Sequence, residues 1–517
     1  MRKIATALGA ISIYAGSAFL AGATASQPSA HGTNPIETRD YLLRFHNDPK
    51  SVMNTPLAKM DPNGNIIDEP TSPLELSGAN TDELLQARDA VRARMCAAGG
   101  RTCDLDAWKK SRYSGINEEN QITKFLYEPG FLTKLSEMEG QNLLEASVPK
   151  APWSDSFWPM NKGLAGRRWM DSKFPESSTW IDNYNYYLAV PPTSVGVNSM
   201  APTEKYDYLV GDGSFRLTNA NWAAGKDSWD KRGMVPGWAG LCHGWAPAAF
   251  MTPTPKKSVT VTAANGGSIT FYPSDIKALS SLAWGEAPPR VLFVGTRCKT
   301  NKPKEDAMGR VIDEGCFDVN PGTWHMGIVN QIGKVKRSFV FDATYDFQVW
   351  NYPIYAYHYE YFNPQTLETS TNLGGASIRV NDYTIDKFKT YRNPNARYIV
   401  GIAMTVHYVV PTAPSMKPVL TPRFESKKYV YDLELDANGV IIGGEWYSNF
   451  HPDFIWNPPP DGKTISEGET ELSGPVSWDG RSQISEELRK AARISSKRQQ
   501  PLSVIVDTLN RLAQEGE

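Results

Sequence analysis

Apolar positions change period several times along the chain, and each change marks an expected element. Leu84, Ala87, Val91 and Met95 recur at helical spacing over residues 81–98, with Leu85 at the edge of the stripe and Thr81 placed to cap. The same period predicts helix over 122–134, around 135–146, and over 201–210, 222–234 and 274–284. A helical tail is expected over 485–512. The middle of the chain shifts to alternation. Residues 258–263 and 268–272 flank Asn265-Gly266-Gly267, and 429–435 and 440–446 flank Ala437-Asn438-Gly439, two hairpin signals. Further strands are predicted at 291–294, 324–332, 338–342 and 397–410 by their β-branched and aromatic content. No internal repeat is present. Helices gathered toward the N-terminal part and strands in the body give an α+β fold.

Both ends read differently from this body. Arg2 and Lys3 precede an uncharged apolar stretch, 4–20, and Ala23-Thr24-Ala25 has the small-x-small form of a cleavage site. Residues 1–25 are therefore expected to be a signal peptide, and the mature protein to be secreted or periplasmic. The stretch is too short and Gly/Ala-rich for a membrane span, and no later segment is long and apolar enough. From residue 26 to about 80 the sequence is polar and Pro-rich with little periodicity, an extended arm. The expected organisation is an arm and helical region over 26–150, itself a candidate pro-segment, a catalytic domain over 151–457, and a linker with helical tail over 458–517.

Charge and cysteine content narrow the function. A net charge of −2 over 517 residues, without a basic block, excludes a phosphate-tracking nucleic-acid binder. Five cysteines in an exported chain leave one unpaired. Cys96 with Cys103, and Cys298 with Cys316, flank short polar loops and are the expected bridges, which leaves Cys242 as the free thiol.

Cys242 follows a Pro/Gly/Trp turn and opens a run of small residues, Cys242-His243-Gly244-Trp245-Ala246-Pro247-Ala248-Ala249. That places it near a helix N-terminus, where free N–H groups and the helix dipole favour thiolate and can donate to an oxyanion. A thiol nucleophile needs a base and a group to orient it. His243 is one residue along the helix and points away. His325 stands at the start of the expected strand 324–332, behind the turn Asn320-Pro321-Gly322-Thr323, and the next strand ends on Asp342. Cys242 as nucleophile, His325 as base and Asp342 as orienting carboxylate form the expected triad.

At these residues the chain resembles the transglutaminase elicitor family, whose oomycete cell-wall members provoke plant defence and which has bacterial relatives. The resemblance lies in Trp238-x-Gly240-x-Cys242-His243-Gly244-Trp245-Ala246-Pro247, in 320–325 and in Phe341-Asp342-Ala343-Thr344-Tyr345-Asp346. Glu204-Lys205-Tyr206-Asp207 and Gly443-Gly444-Glu445-Trp446 are also similar, and Val349-Trp350-Asn351-x-Pro353 resembles the start of the plant-recognised epitope. The epitope pattern then gives way to Tyr352-Pro353-Ile354-Tyr355-Ala356-Tyr357-His358, aromatic where the family has a basic residue and glycine. The resemblance implies a papain-like thiol site that joins glutamine side chains of proteins to lysine or polyamine amines through a Cys242 thioester. It also implies an indole oxyanion donor, with Trp238 and Trp222 as candidates. No metal ligand set is expected, and calcium is left open. Asp61-x-Asn63-x-Asn65 and Asp436-x-Asn438 begin like calcium loops, yet lack the glycine and closing glutamate and read as turns.

Two alternatives stand beside this reading. The same triad hydrolyses its acyl-enzyme where water outcompetes amine, which makes a cysteine protease or amidase. The fold can also be kept for recognition alone, in a catalytically idle secreted binding protein.

Overall fold

The structure is a computed structural model and describes residues 35–61, 63–68, 116–117, 120–296, 303–313, 316–343, 348–474 and 476–515. The expected signal peptide, the 81–98 helix, and Cys96, Cys103 and Cys298 lie outside the described residues.

Long alternating runs build one large antiparallel sheet. Its strands lie in the order Ile66–Asp68, Lys59–Met60, Phe424–Leu435, Tyr398–Val409, Asn351–Phe362, Val340–Asp342, Phe454–Asn457 and Leu292–Gly295. Four short strands add at its sides, twelve in all. The two hairpins predicted from Asn-Gly turns form at Val259–Thr262 with Ser268–Phe271, and at Phe424–Leu435 with Ile441–Trp446. The fold is α+β, as the sequence predicts.

Asn351–Phe362, at the sheet's centre, went unpredicted. Seven of its twelve residues are aromatic or histidine, so it shows no clean alternation. One side chain set still faces each way. Tyr357, Tyr359 and Tyr361 enter the main core with Met404, Val406, Tyr429 and Tyr431, while His358 and Glu360 face the other side. Residues 324–332, expected as a strand, are helical instead: Pro321–Ile328 is an α-helix that continues as a wider π-type turn, Val329–Lys334. Asn320 is the reason. Its side chain accepts the Gly322 N–H at 2.8 Å and Pro321 occupies the first helical position, an N-cap pattern that also resembles a turn. The expected 122–134 helix is reduced to the turn Ile122–Lys124, and 135–146 divides into the helix Leu135–Gly140 and the strand Glu145–Ser147.

The arm is ordered where it is described. Pro35–Asn47 and Pro49–Met53 are helices, and Leu42, Phe45 and Met53 bury against Phe362, Phe388 and Tyr447. Met60 then pairs with Ser426 at the sheet edge. The tail is equally integral. Glu486–Ser496 and Ser503–Leu512 pack Leu488, Ile505 and Leu509 into a second core with Leu209, Val259, Ile276 and Leu279. Among the described residues no helix is long and apolar enough to cross a membrane.

The Glu204-Lys205-Tyr206-Asp207 motif is the framework of this helical core. Glu204 takes a bidentate bond from buried Arg168, with the shortest contact 2.7 Å, and Lys205 meets Asp275 at 2.5 Å. The Tyr206 hydroxyl accepts the Leu502 N–H, tying in the tail. Asp207 caps the Arg216–Arg232 helix through the N–H groups of Leu217 and Thr218. Burial pushes the Asp207 carboxyl up to about 8.

Candidate functional site

The thiol is delivered by a crossing of two sequence-distant segments. The aromatic stretch 153–160 runs against the Cys242 turn, with Leu241 N–H bonded to the Phe157 carbonyl at 2.7 Å and Met160 N–H to Ala239 at 2.7 Å. Gly240 permits this approach: a Cβ there would stand 2.7 Å from the Phe157 oxygen. Cys242 then begins the helix Cys242–Met251, as predicted, with Leu241 at the cap position. Pro247 falls in its second turn. Small residues let the Pro273–Glu286 helix lie against it. A Cβ on Gly244 would be 2.0 Å from the Ser281 carbonyl oxygen.

Around the sulfur the sheet supplies the rest. Cys242 Sγ donates to the Val349 carbonyl at 3.5 Å, and the Asn351 side-chain amide Nδ2 stands 3.7 Å from Sγ. Asn351 is directly opposite Asp342 on the neighbouring strand. Asp342 is fully buried, accepts the Trp350 N–H at 3.0 Å, and its charge is felt at the sulfur. Trp456, from the next strand over, donates its indole Nε1–H to Asn351 Oδ1 at 2.9 Å. Burial raises the thiol pKa, bonds from the Asn351 backbone and side chain and from the His243 backbone oppose that rise, and the Asp342 charge adds to it. In this arrangement Cys242 is a protonated, enclosed thiol.

Cys242 and Asp342 are thus brought together, and His325 is not. Its helix places the ring in the tyrosine-lined core, Nδ1 2.9 Å from the Tyr431 hydroxyl and edge-on to Tyr359 at 4.9 Å between ring centroids. Tyr359 is eight residues along its strand from Asn351, about 26 Å at ~3.3 Å per residue. The expected Cys–His contact is therefore absent, because residues 321–328 form a helix rather than the strand that was to aim the imidazole. Burial alone holds the His325 pKa down at about 3. His243 turns, as expected, away from the thiol: its Nε2 lies against Gly285 of the adjoining helix.

The remaining candidates separate cleanly. Trp222 stacks on Tyr187 at 5.1 Å, in a cluster with Phe174 and Trp180, and shares none of the sulfur's immediate neighbours. Trp238 packs with Trp245, Val349 and Trp456 around the Cys242 helix, and its Nε1 has no hydrogen-bond partner among the described residues. Cys242 is a free cysteine, and Cys316 is disulfide-bonded. Its expected partner, Cys298, lies outside the described residues, so the pairing stays an expectation. The two calcium-like loops are turns, their Asp61 and Asp436 carboxylates accepting N–H groups from Asn63 and Asn65, and from Asn438 and Val440. Among the described residues no group of three or more His, Cys, Asp or Glu side chains is arranged to hold a metal.

Asn351 and Trp456 were not singled out by sequence reasoning. Asn351 lies in the segment resembling the start of the family epitope, and that segment, Val349 to Asn351, forms the wall of the thiol site. Trp456 carries no local signal at all.

The fold is similar to the crystal structure of the GP42 transglutaminase from Phytophthora sojae, at 19% sequence identity and a TM-score of 0.44, covering 75% of this chain and 94% of that one. No curated protein matches the sequence. The family described as transglutaminase elicitor matches residues 127–472, which include the Cys242 helix, the Asp342 and Asn351 strands and Trp456. The chain belongs to the transglutaminase elicitor family.

Proposed function

We propose that this chain is an acyltransferase of the transglutaminase type, with Cys242 as nucleophile and Asp342 as the carboxylate that handles its proton. The observation that carries this reading is the free Cys242 thiol at a helix start, facing Asp342 and Asn351 on two paired strands.

In this reaction Sγ attacks the γ-carboxamide carbon of a protein glutamine. The S–C bond forms, the C–N bond breaks, and the thiol proton leaves with ammonia, relayed by Asp342. A lysine ε-amine or a polyamine then opens the thioester, forming the isopeptide bond and returning a proton to sulfur. His325 is given no part in these steps, since its ring packs beside Tyr359, about 26 Å along the strand from Asn351. Export, with cleavage after Ala25, accompanies this reading and rests on the sequence.

The absence of an imidazole contact to the thiol among the described residues favours a second reading, a family member that keeps the fold without turnover. One experiment separates them. The mature protein is incubated with a glutamine-donor protein and a labelled primary amine, beside Cys242→Ser. Stable amine incorporation with ammonia release, lost in Cys242→Ser, supports the transferase. Cleavage of peptide bonds instead means a protease, and neither reaction means an idle fold.

A further inference from the structure

We propose that the Asn351 side-chain amide is the oxyanion donor for acyl transfer at Cys242, and that Trp456 is the positioning residue that aims it; this rests on the reading of Cys242 as nucleophile. Hydrogen bonding around the Asn351 amide is unbalanced. Asn351 is fully buried, and its Oδ1 is engaged by the Trp456 indole at 2.9 Å. Its two Nδ2–H groups share one partner among the described residues, the Cys242 sulfur at 3.7 Å. Sulfur is a weak acceptor, and a buried amide with spare donors costs about 1–3 kcal/mol. A substrate oxygen removes that cost.

Trp456 determines which end of the amide faces the thiol. An indole N–H only donates, so the atom it meets has to be Oδ1, and Nδ2 is turned to the sulfur. Trp456 is itself held, in the strand Phe454–Asn457 paired with both Leu292–Gly295 and Val340–Asp342. The donor therefore comes from a paired strand and its support from another, so neither moves with the substrate.

The bond to sulfur is weak enough to yield to an oxygen. A separation of 3.7 Å is long for a bond to Sγ. An oxygen on the attacked carbon, beside the sulfur on the side that Asn351 faces, would be reached at the distance of about 2.7–3.1 Å that an oxyanion donor needs. As the S–C bond forms, the carbonyl π pair moves onto that oxygen and Nδ2–H donates to it. Collapse restores the C=O bond and expels nitrogen as ammonia with the proton from the thiol. The Asn351 and His243 backbone N–H groups, which already face the sulfur, add to the same field.

The test uses full-length Asn351→Ala and Trp456→Phe, assayed for amine incorporation and for the pH dependence of Cys242 alkylation by iodoacetamide, with Tm as a fold check. Trp456→Phe keeps the ring and removes only its N–H, so it answers the question if Asn351→Ala folds poorly. The expected result is a kcat lower by about 10²–10³-fold in Asn351→Ala, with KM within about threefold of wild type, as for a donor used mainly in the transition state. Its alkylation profile moves to higher pH, because a donor to the thiolate is gone. Trp456→Phe shows smaller changes of the same sign. A folded Asn351→Ala with kcat near wild type, or Trp456→Phe with neither change, overturns the proposal alone. A wild-type chain that is alkylated at Cys242 yet transfers no acyl group overturns the nucleophile reading, and this role with it.

Discussion

Trp350 donates its backbone N–H to Asp342 Oδ1 at 3.0 Å, and so ties the carboxylate that faces the thiol to the segment that surrounds the thiol. The residue before Trp350 accepts from Sγ and the residue after it donates to Sγ. Three consecutive positions thus serve one sulfur and one carboxylate. A change in this segment is felt at both groups together, whereas His325, on the helix Pro321–Ile328 and packed against Tyr359 about 26 Å further along the Asn351 strand, is insulated from them.

His325→Gln separates a structural imidazole from a catalytic one. A glutamine can still bond the Tyr431 hydroxyl, so turnover is expected within a few-fold of wild type, with a lower Tm. His325→Ala leaves that hydroxyl only the weak Met404 sulfur acceptor, over a cavity, and costs about 2–4 kcal/mol. Steady-state amine incorporation and thermal melts check both. A dead His325→Gln with an unchanged Tm would show that the imidazole reaches the thiol during turnover.

The same residue gives a pH signature. Its folded pKa, about 3, lies below the ordinary 6.5, so between those values the unfolded chain binds a proton that the folded chain refuses. Stability from this group is therefore lost as pH falls from 6.5 toward 3, by up to about 1.4 kcal/mol per pH unit. Asp207 and Glu434, raised by burial to about 8 and about 7, act in the opposite sense, so the total curve is not diagnostic. The difference is. Urea midpoints of His325→Gln should fall less than wild type between pH 6.5 and 4.5, and parallel curves would refute the assignment.

Gly244→Ala tests the packing that seats the thiol helix. A methyl there meets the Ser281 carbonyl at 2.0 Å, and the backbone has to move. The expected cost is about 1–3 kcal/mol, with slower alkylation of Cys242 in the folded protein. Gly213→Ala, where a Cβ meets nothing within 4 Å, is the neutral control. Equal melting temperatures for the two variants would contradict the close approach.

The sequence reading succeeds where local chemistry decides structure. Cys242 behind Pro236-Gly237-Trp238-Ala239-Gly240, and the two Asn-Gly hairpins, are set by residues within a few positions of themselves. It fails where distant packing decides. Residues 324–332 are apolar enough for either period, and the Asn320 cap with Pro321 resolves them as helix. The aromatic run 351–362 is central because strands far away in sequence cover both its edges. Asn351 became visible only beside Trp456, 105 residues later. The arm helix Pro35–Asn47 has few apolar residues, and its burial against Phe362 and Tyr447 supplies what its pattern lacks.

Removing the tail should cost the helical core its lid. Truncation after Ile484 exposes Leu209, Ile276 and Leu279, which Leu488, Ile505 and Leu509 cover. It also leaves the Tyr206 hydroxyl without the Leu502 N–H. Each lost large side chain contributes about 1.5–3 kcal/mol, in sum comparable to the lower part of the usual margin of about 5–15 kcal/mol. Soluble yield and Tm of the truncated chain check this, and a cooperative melt near the wild-type Tm would show the tail to be an appendage.

Asp342→Asn is the sharpest test of the site, because its two readouts move in opposite directions. The amide keeps an oxygen for the Trp350 N–H, so the strand pair and the fold should survive, with Tm close to wild type. What is lost is charge. The Asp342 carboxylate raises the Cys242 pKa, so its removal should shift the alkylation profile to lower pH and make the resting thiol more reactive. Amine incorporation should nevertheless fall by about 10²-fold or more, since the relay that carries the thiol proton to departing ammonia is gone. A more reactive cysteine in a slower enzyme is a combination that simple damage to the site does not produce. Asp346→Asn, four residues on and outside the described residues, is the paired control. Turnover of Asp342→Asn within threefold of wild type, beside a crippled Asp346→Asn, would move the relay to Asp346. An alkylation profile shifted to higher pH would mean that Asp342 does not face the sulfur.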